Sequence, residues 1–255
     1  MVSKLVSLII APHPDDETIG AGIWIHRHRH TKVTILQLTD GSPRDLGGAH
    51  EAGFSSREEY AEARREELLA ALEKAKLHDI ELQSFDYVDQ EAHLHAREVV
   101  KRLTKLIDNL RPDLVLSPAY EGGHPDHDTA AFAVAAARRR CPTFRHREYR
   151  LYHAWLEGRD TTDPTMDTRD FLPNPQVPVE HQLLTRAEQR RKERMFSAFS
   201  SQAHVLREFS LQEESFRDAP SYDFRLPPHD GMLLYERWGW SVAGEAWRDY
   251  VARSL

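Results

Sequence analysis

The sequence predicts an α/β fold, a right-handed parallel sheet flanked by helices. Three observations predict it. Short β-branched apolar runs alternate with longer stretches of helical periodicity through residue 140, the pattern of successive βαβ units. Two of the expected strand-to-helix turns carry dense His/Asp sequences, at residues 12–17 and 122–128, and the carboxyl edge of an open α/β sheet is where ligands bind. The 255 residues contain no internal repeat, low-complexity tract or clean linker. They read as one domain over 1–255 with a decorated C-terminal third.

Residues 5–10 are a short Val/Ile-containing apolar run, the signature of a buried parallel strand. The Pro12-His13-Pro14-Asp15-Asp16-Glu17 turn follows, and residues 18–28 read as a helix. Pro12 and Pro14 each push the preceding residue out of the α region, so Ala11 and His13 are expected extended and stiff. Residues 32–38 form the second strand, ending in the turn sequence Thr39-Asp40-Gly41-Ser42-Pro43. Residues 44–54 are polar and Gly-containing and read as a long loop on the ligand edge, a common place for specificity. Ser55 or Ser56 caps the next helix, which runs to about Lys76 with Ala61, Leu68, Leu69 and Leu72 on its apolar face. A third strand is expected over 80–87, with Asp89 just beyond it. A helix follows over 92–110, striped by Val99, Val100, Leu103, Leu106, Ile107 and Leu110. Arg111-Pro112-Asp113 breaks the helix, residues 114–117 form a strand, and 118–127 read as a loop, with Asp128 capping a helix over 129–140. Beyond Cys141 the pattern loosens. A strand is expected over 148–156, an irregular specificity-bearing connection over 160–178, and a charged, solvated helix over 185–199. Trp238, Trp240 and Trp247 give the C-terminal segment an amphipathic, partly buried character.

Composition excludes several classes. A formal net charge of −7 gives no footprint for nucleic acid. No apolar run is long enough for a membrane span. The apolar start is broken by Lys4 and has no small-residue cleavage site, so a leader is not expected and the cytoplasm is the expected location. Cys141 is the single cysteine, which excludes an intrachain disulfide and a thiolate zinc cluster. A metal site must use His and carboxylate. His26, His28 and His30 alternate with arginines and read as a polar helix terminus rather than ligands.

The two turns open at the same sheet edge, which brings His13, Asp15, Asp16, His124, Asp126 and His127 within reach of one another. A catalytic zinc takes three protein ligands and keeps one open position. Two histidines and a carboxylate meet that need, and two carboxylates and a histidine remain for proton transfer. Taken singly, Asp15, Asp16 and Glu17 could simply complement a helix N-terminus, and His124 and His127 could be polar loop residues. Two such motifs at equivalent strand ends favour a site.

PHPDDE at 12–17 together with GGHPDHD at 122–128 resembles the LmbE/PIG-L family of metal-dependent N-acetylglucosamine deacetylases. Leu38-Thr39-Asp40-Gly41, the Arg64–Ala71 segment, Asp89, Arg111-Pro112-Asp113, Lys192 and Ser201-Gln202 are also similar, so the resemblance reaches to about Phe216. It implies a Rossmann-like parallel sheet. It implies that His13, Asp16 and His127 hold a divalent metal, usually Zn2+ with Fe2+ the alternative, and that Asp15 is the general base. His124 would stabilise the oxyanion, with Asp126 orienting it and keeping it charged, and Arg64 and Asp89 would contact substrate. A carboxylate beside His124 is expected to raise its pKa. One departure is Gly122, where some members carry a tyrosine; Tyr120 lies two residues further from His124. The reaction implied is removal of the N-acetyl group from an N-acetylglucosamine-type sugar or its conjugate. The rivals are an amidase of a thiol-sugar conjugate and a non-catalytic sugar-binding protein. The partner expected is a small amino-sugar substrate, and a homo-oligomer is left open. A nucleotide-binding reading fails because the first turn presents carboxylates where phosphate would need glycines.

Overall fold

The computed structural model of the protein describes residues 5–156 and 162–254. In chain order its elements are β1 (Val6–Ala11), α1 (Asp16–Arg27), β2 (Lys32–Thr39), α2 (Gly47–Glu51), α3 (Arg57–Lys74), β3 (Glu81–Tyr87), α4 (Ala96–Leu110), β4 (Leu114–Pro118) and α5 (Pro125–Arg140). They continue with β5 (Arg145–Tyr149), β6 (His153–Ala154), β7 (Met166–Asp167), β8 (Glu180–Leu183), α6 (Arg186–Phe196), α7 (Ala203–Leu206), β9 (Glu213–Asp218), α8 (Leu234–Arg237) and α9 (Gly244–Ala252). The main sheet has the order β3-β2-β1-β4-β5-β9-β8. Its first five strands are parallel, as the alternation predicts; β9 runs antiparallel to β5, and β8 antiparallel to β9. Strand order reverses between β1 and β4, so the crevice at their carboxyl ends is the topological switch point where such sheets take ligands.

Alternation along the strands builds the two halves of the core. Leu8 and Ile10 of β1 join Leu36, Leu38 and Val115 under α4, α5 and α9; Ile9 and Ala11 join Val33, Ile35 and Leu116 under α1, α3 and α6. That two-sided burial is why the strands read as unbroken apolar runs. Ser56 caps α3 by accepting from the Glu59 N–H. Arg111, at φ 48, ends α4 in the left-handed conformation. No helix among the described residues is long and apolar enough to cross a membrane.

Several expectations need correcting. The 44–54 loop contains α2, and the first turn of the helix expected over 92–110 is 3₁₀, over Ala92–His95. The fifth helix begins at Pro125, not 129, and His124, not Asp128, is its cap. Pro125 at the first helical position has no N–H to orphan and a φ already set for the helix. The Asp128 carboxylate instead accepts from the Glu121 and Gly122 N–H groups and closes the preceding turn. The strand expected over 148–156 is β5, displaced towards the N-terminus, followed by β6, which pairs with β7 inside the stretch read as irregular. Asp160 and Thr161 of that stretch lie outside the described residues.

The charged sixth helix is not solvated all round. Lys192 is 1% exposed; its Nζ donates to the Ile19 carbonyl at 2.7 Å and pairs with Glu214 at 3.0 Å. The Glu214 carboxylate in turn accepts from the Ile23 and Trp24 N–H groups of α1 at 2.7 and 2.8 Å. A lysine–glutamate pair is thus inserted into the hydrogen-bond ladder of the helix that carries Asp16. On the other face, Trp247 Nε1 of α9 donates to the Pro125 carbonyl and to Thr129 Oγ1, both at 3.0 Å, and pegs the first turn of α5.

Candidate active site

The first turn leaves β1 at Ala11 and is tied to β2 by Thr39, whose N–H and hydroxyl both donate to the Pro12 carbonyl at 2.9 Å. Asp16 Oδ2 accepts from the His13 N–H at 2.8 Å and faces His13 Nδ1 at 3.1 Å. Asp15 sits at φ 150, ψ −29, a region that non-glycine residues rarely enter. Its carboxylate does not cap α1. It accepts from Arg64 Nη2 at 2.9 Å, and its N–H donates to Glu17 Oε2, which also accepts from Gln37. Helix capping therefore does not account for Asp15.

The second turn leaves β4. His124 is extended before Pro125, and its Nδ1 accepts from the Asp126 N–H at 3.1 Å. An accepting Nδ1 places the ring proton of the neutral imidazole on Nε2. Gly123 leaves no room for a Cβ against the Tyr152 carbonyl. His127 stands in the first turn of α5 with Nε2 3.3 Å from Asp16 Oδ2, buried and without a hydrogen bond among the described residues.

Asp16 Oδ2 thus lies 3.1 and 3.3 Å from the two imidazole nitrogens it faces. Bonds of about 2.0–2.1 Å in tetrahedral geometry put neighbouring ligand atoms about 3.3 Å apart, a spacing that Asp16 Oδ2 matches to each of the two imidazoles, while the three histidines whose ligand atoms all gather together are His13, His124 and His127. The unpartnered His127 Nε2 supports the fit. His13 also lies close enough to Asp89, His124 and Asp126 to share a cation with them. In that second set Asp126 is already committed, accepting from the Gln90 and Ala92 N–H groups at 2.6 and 3.1 Å.

The pairing of His124 with the Asp126 carboxylate is corrected. Their nearest approach is 3.9 Å, and Asp126 Oδ2 faces His13 Nε2 at 3.3 Å. Asp126 orients His124 through its backbone N–H. The carboxylate that faces His124 Nε2 is Asp89, at 3.4 Å, and the same Oδ1 lies 3.1 Å from His13 Nε2. Burial and the neighbouring His13 push the His124 pKa down to about 4, against Asp89, so the expected rise does not occur. Burial also disfavours a charged His13, but Asp89, Asp126 and Asp16 surround it and hold its pKa well above the usual value. Burial pushes the Asp15 carboxyl up to about 7; Arg64 opposes the rise and Asp16 adds to it. Asp16 itself is held far below the ordinary range despite its burial, by His127 and His13. Arg64 donates through its two Nη atoms to the Gly41 carbonyl, the Pro14 carbonyl and Asp15, bracing that carboxylate from behind, while its Nε is buried without a partner among the described residues.

A cavity of about 840 Å³ opens over these groups. Both segments expected to set specificity reach it, the first through Asp45, Gly48 and Glu51 and the second through Thr165 and Met166. Tyr120 does not; its hydroxyl donates to the Leu226 carbonyl and its ring stacks on Trp247. Sequence reasoning missed the aromatic wall of Tyr152, Trp238 and Trp240, and the role of Glu17 behind Asp15. Clustered tryptophans at 238 and 240 were the available signal.

A His–carboxylate centre at the switch point of a parallel α/β sheet is thus the class of site this chain builds. The sequence model of the family described as GlcNAc-PI de-N-acetylase, PIG-L, matches residues 8–138, and the chain belongs to that family. Over 134 residues it is 37% identical to a diacetylchitobiose deacetylase of Thermococcus kodakarensis, covering 49% of this chain and 46% of that protein. Over 140 residues it is 29% identical to a probable N-acetyl-alpha-D-glucosaminyl L-malate deacetylase 2 of Bacillus subtilis, covering 51% and 59%. The chain therefore spans about half the length of the curated relatives it matches. Among solved structures it is similar to an antimicrobial reagent A40926 pseudoaglycone deacetylase, with TM-score 0.64 and 19% identity over 87% of this chain and 99% of that one. That likeness is one of fold.

Proposed function

We propose that the protein is a metal-dependent hydrolase that removes the acetyl group from an N-acetylglucosamine-type amino sugar or its conjugate, with residues 1–255 acting as one domain. The observation that carries this reading is the convergence of His13, Asp16 and His127 from two strand-end turns beside a carboxylate, Asp15, pushed up to about 7. His13 Nδ1, Asp16 Oδ2 and His127 Nε2 would hold the ion; Zn2+ suits the set, and Fe2+ is the alternative. Such an ion supplies a polarised amide carbonyl and a water acidified to a pKa of about 7.

The chain's own groups do the rest. Asp15 accepts the proton of the attacking water, and a base with a pKa near the working pH is the efficient one. Arg64 fixes its orientation, and the strained Asp15 backbone aims the carboxylate into the cavity rather than along α1. As the amide becomes tetrahedral, its oxygen gains charge. His124 Nε2–H is the donor available to it, and such a donor is worth about 3–4 kcal/mol in known cases. Asp126 keeps that proton on Nε2 through its N–H bond to Nδ1. When the C–N bond breaks, the proton held by Asp15 passes to the departing amine. The products are acetate and the free amino sugar.

Release of free amine from N-acetylglucosamine and its glycosides, with and without chelator, tests the reading. Chelator-sensitive acetate and amine in equal amounts support it. Metal-loaded protein that yields neither, from any glycoside, overturns it.

A further inference from the structure

Two aromatic rings lie against the histidines, and a third joins them. Trp240 meets His124 edge-on with centroids 4.9 Å apart, Tyr152 meets His127 at 5.1 Å, and Trp238 joins the two at 5.2 Å from Trp240 and 6.0 Å from Tyr152. Trp238 is fixed by its Nε1–H, which donates to the Pro164 carbonyl at 2.7 Å. The wall lines the cavity and comes from segments outside the 8–138 stretch that defines the family. The opposite charge balance completes the picture. Arg64 is the one Lys or Arg side chain lining the cavity among the described residues, and it is paired with Asp15. Glu51 and Glu208 line the cavity, both exposed and neither in an ion pair with a Lys, Arg or His among the described residues, and Asp45 stands with them. A cavity of about 840 Å³ is near the top of the range of about 300–1,000 Å³ for small-molecule sites, so there is room beyond the ring that bears the acetamide.

Resting on the deacetylase reading above, we infer that the substrate is an uncharged glycoside whose aglycone, a second sugar ring, stacks on the Trp238–Trp240 wall, and that the acidic mouth rejects conjugates bearing carboxylate or phosphate. The C–H face of a pyranose is apolar and flat and matches a fixed indole. An anionic aglycone meets like charge at the mouth, where no Lys or Arg side chain among the described residues, apart from the paired Arg64, lines the cavity to receive it, and like-charge juxtaposition is one means of discrimination.

The test compares three substrates on the metal-loaded protein: N,N'-diacetylchitobiose, methyl N-acetylglucosaminide and an N-acetylglucosaminyl malate. The neutral disaccharide should exceed the malate conjugate in kcat/KM by at least about tenfold at low salt, with the gap closing as salt screens the mouth. Glu51→Lys/Glu208→Lys should raise kcat/KM for the malate conjugate selectively. Trp238→Ala should raise KM for the disaccharide by about tenfold, leave the methyl glycoside nearly unchanged, and be rescued in part by Trp238→Phe. Binding to Asp15→Asn, followed by tryptophan fluorescence, judges the same preference without turnover. A malate conjugate that is turned over or bound as well as the disaccharide overturns the inference while the deacetylase reading stands. So does a Trp238→Ala effect shared equally by both neutral glycosides. If no substrate is deacetylated the reaction reading fails, and the fluorescence titration still decides the charge preference.

Discussion

Replacing Lys192 with methionine keeps the length of the side chain and removes its charge and donors. Glu214 would then sit 2% exposed with two α1 N–H groups and no cation, and the Ile19 carbonyl would lose its 2.7 Å donor. Breaking a buried pair by deleting one partner costs about 3–5 kcal/mol, because the other charge stays behind uncompensated. Domains of this kind are stable by only about 5–15 kcal/mol, so Lys192→Met should be folded but marginal. Urea unfolding followed by tryptophan fluorescence reads the loss directly as a lower midpoint at unchanged slope. Adding Glu214→Gln should recover part of it, because one amide can accept from Ile23 and Trp24 and donate towards Ile19. A single variant within about 1 kcal/mol of wild type, or a double variant no more stable than the single, would refute the view that this pair braces α1.

Four further outcomes are expected. His127→Ala should lose most of its bound metal by elemental analysis; equal content in variant and wild type removes His127 from the ligand set. Asp15→Asn should keep its metal and lose about 10²–10⁴-fold in turnover, and near-normal turnover would assign the base elsewhere. Gly41→Ala places a Cβ 2.7 Å from both Arg64 Nη1 and Pro14 at φ +69; the displaced guanidinium should lower kcat/KM by at least about tenfold, and an unchanged rate would free Arg64 of its bracing role. Burial pushes Glu148 up to about 7 against Arg217. The folded protein therefore keeps a proton that the unfolded chain loses near about 4.3, and the stability tied to that proton falls as pH rises from about 4.3 to about 7. Glu148→Gln should flatten the stability profile over that window, and identical slopes would exclude the group.

The centre of the parallel sheet could be read because β1, β2 and β4 are buried on both faces and need unbroken apolar runs. The antiparallel β8–β9 pair could not. Its strands read Glu-His-Gln-Leu and Glu-Glu-Ser-Phe-Arg-Asp, and tertiary partners, Lys192 for Glu214 and Glu148 for Arg217, make those charges acceptable inside. Within the site, the histidines and aspartates were identified by type and spacing, but their pairing was not. Sequence proximity suggested Asp126 for His124, whereas the segment after β3 delivers the Gln90 and Ala92 N–H groups to Asp126 and brings Asp89 to His124. Long-range partners of that kind have no local signature. The tryptophan wall had one, in its composition, yet nothing in the sequence tied residues 238 and 240 to a cavity that opens over His13, Asp15 and His124.

The Trp247 peg acquires another meaning in the order of synthesis. His13 and Asp16 emerge first, and three strands must follow before His127 can be set beside them. The turn that carries His127 is then held by a residue near the far end of the chain. At about 5–20 residues per second, Trp247 trails His127 by roughly ten seconds. For that interval a nascent chain presents all three proposed ligand side chains with the last of them on an unpegged helix. On the proposed ligand set, firm metal capture would therefore wait for α9, and a chain cut short before α9 would keep all three proposed ligands and hold an ion loosely.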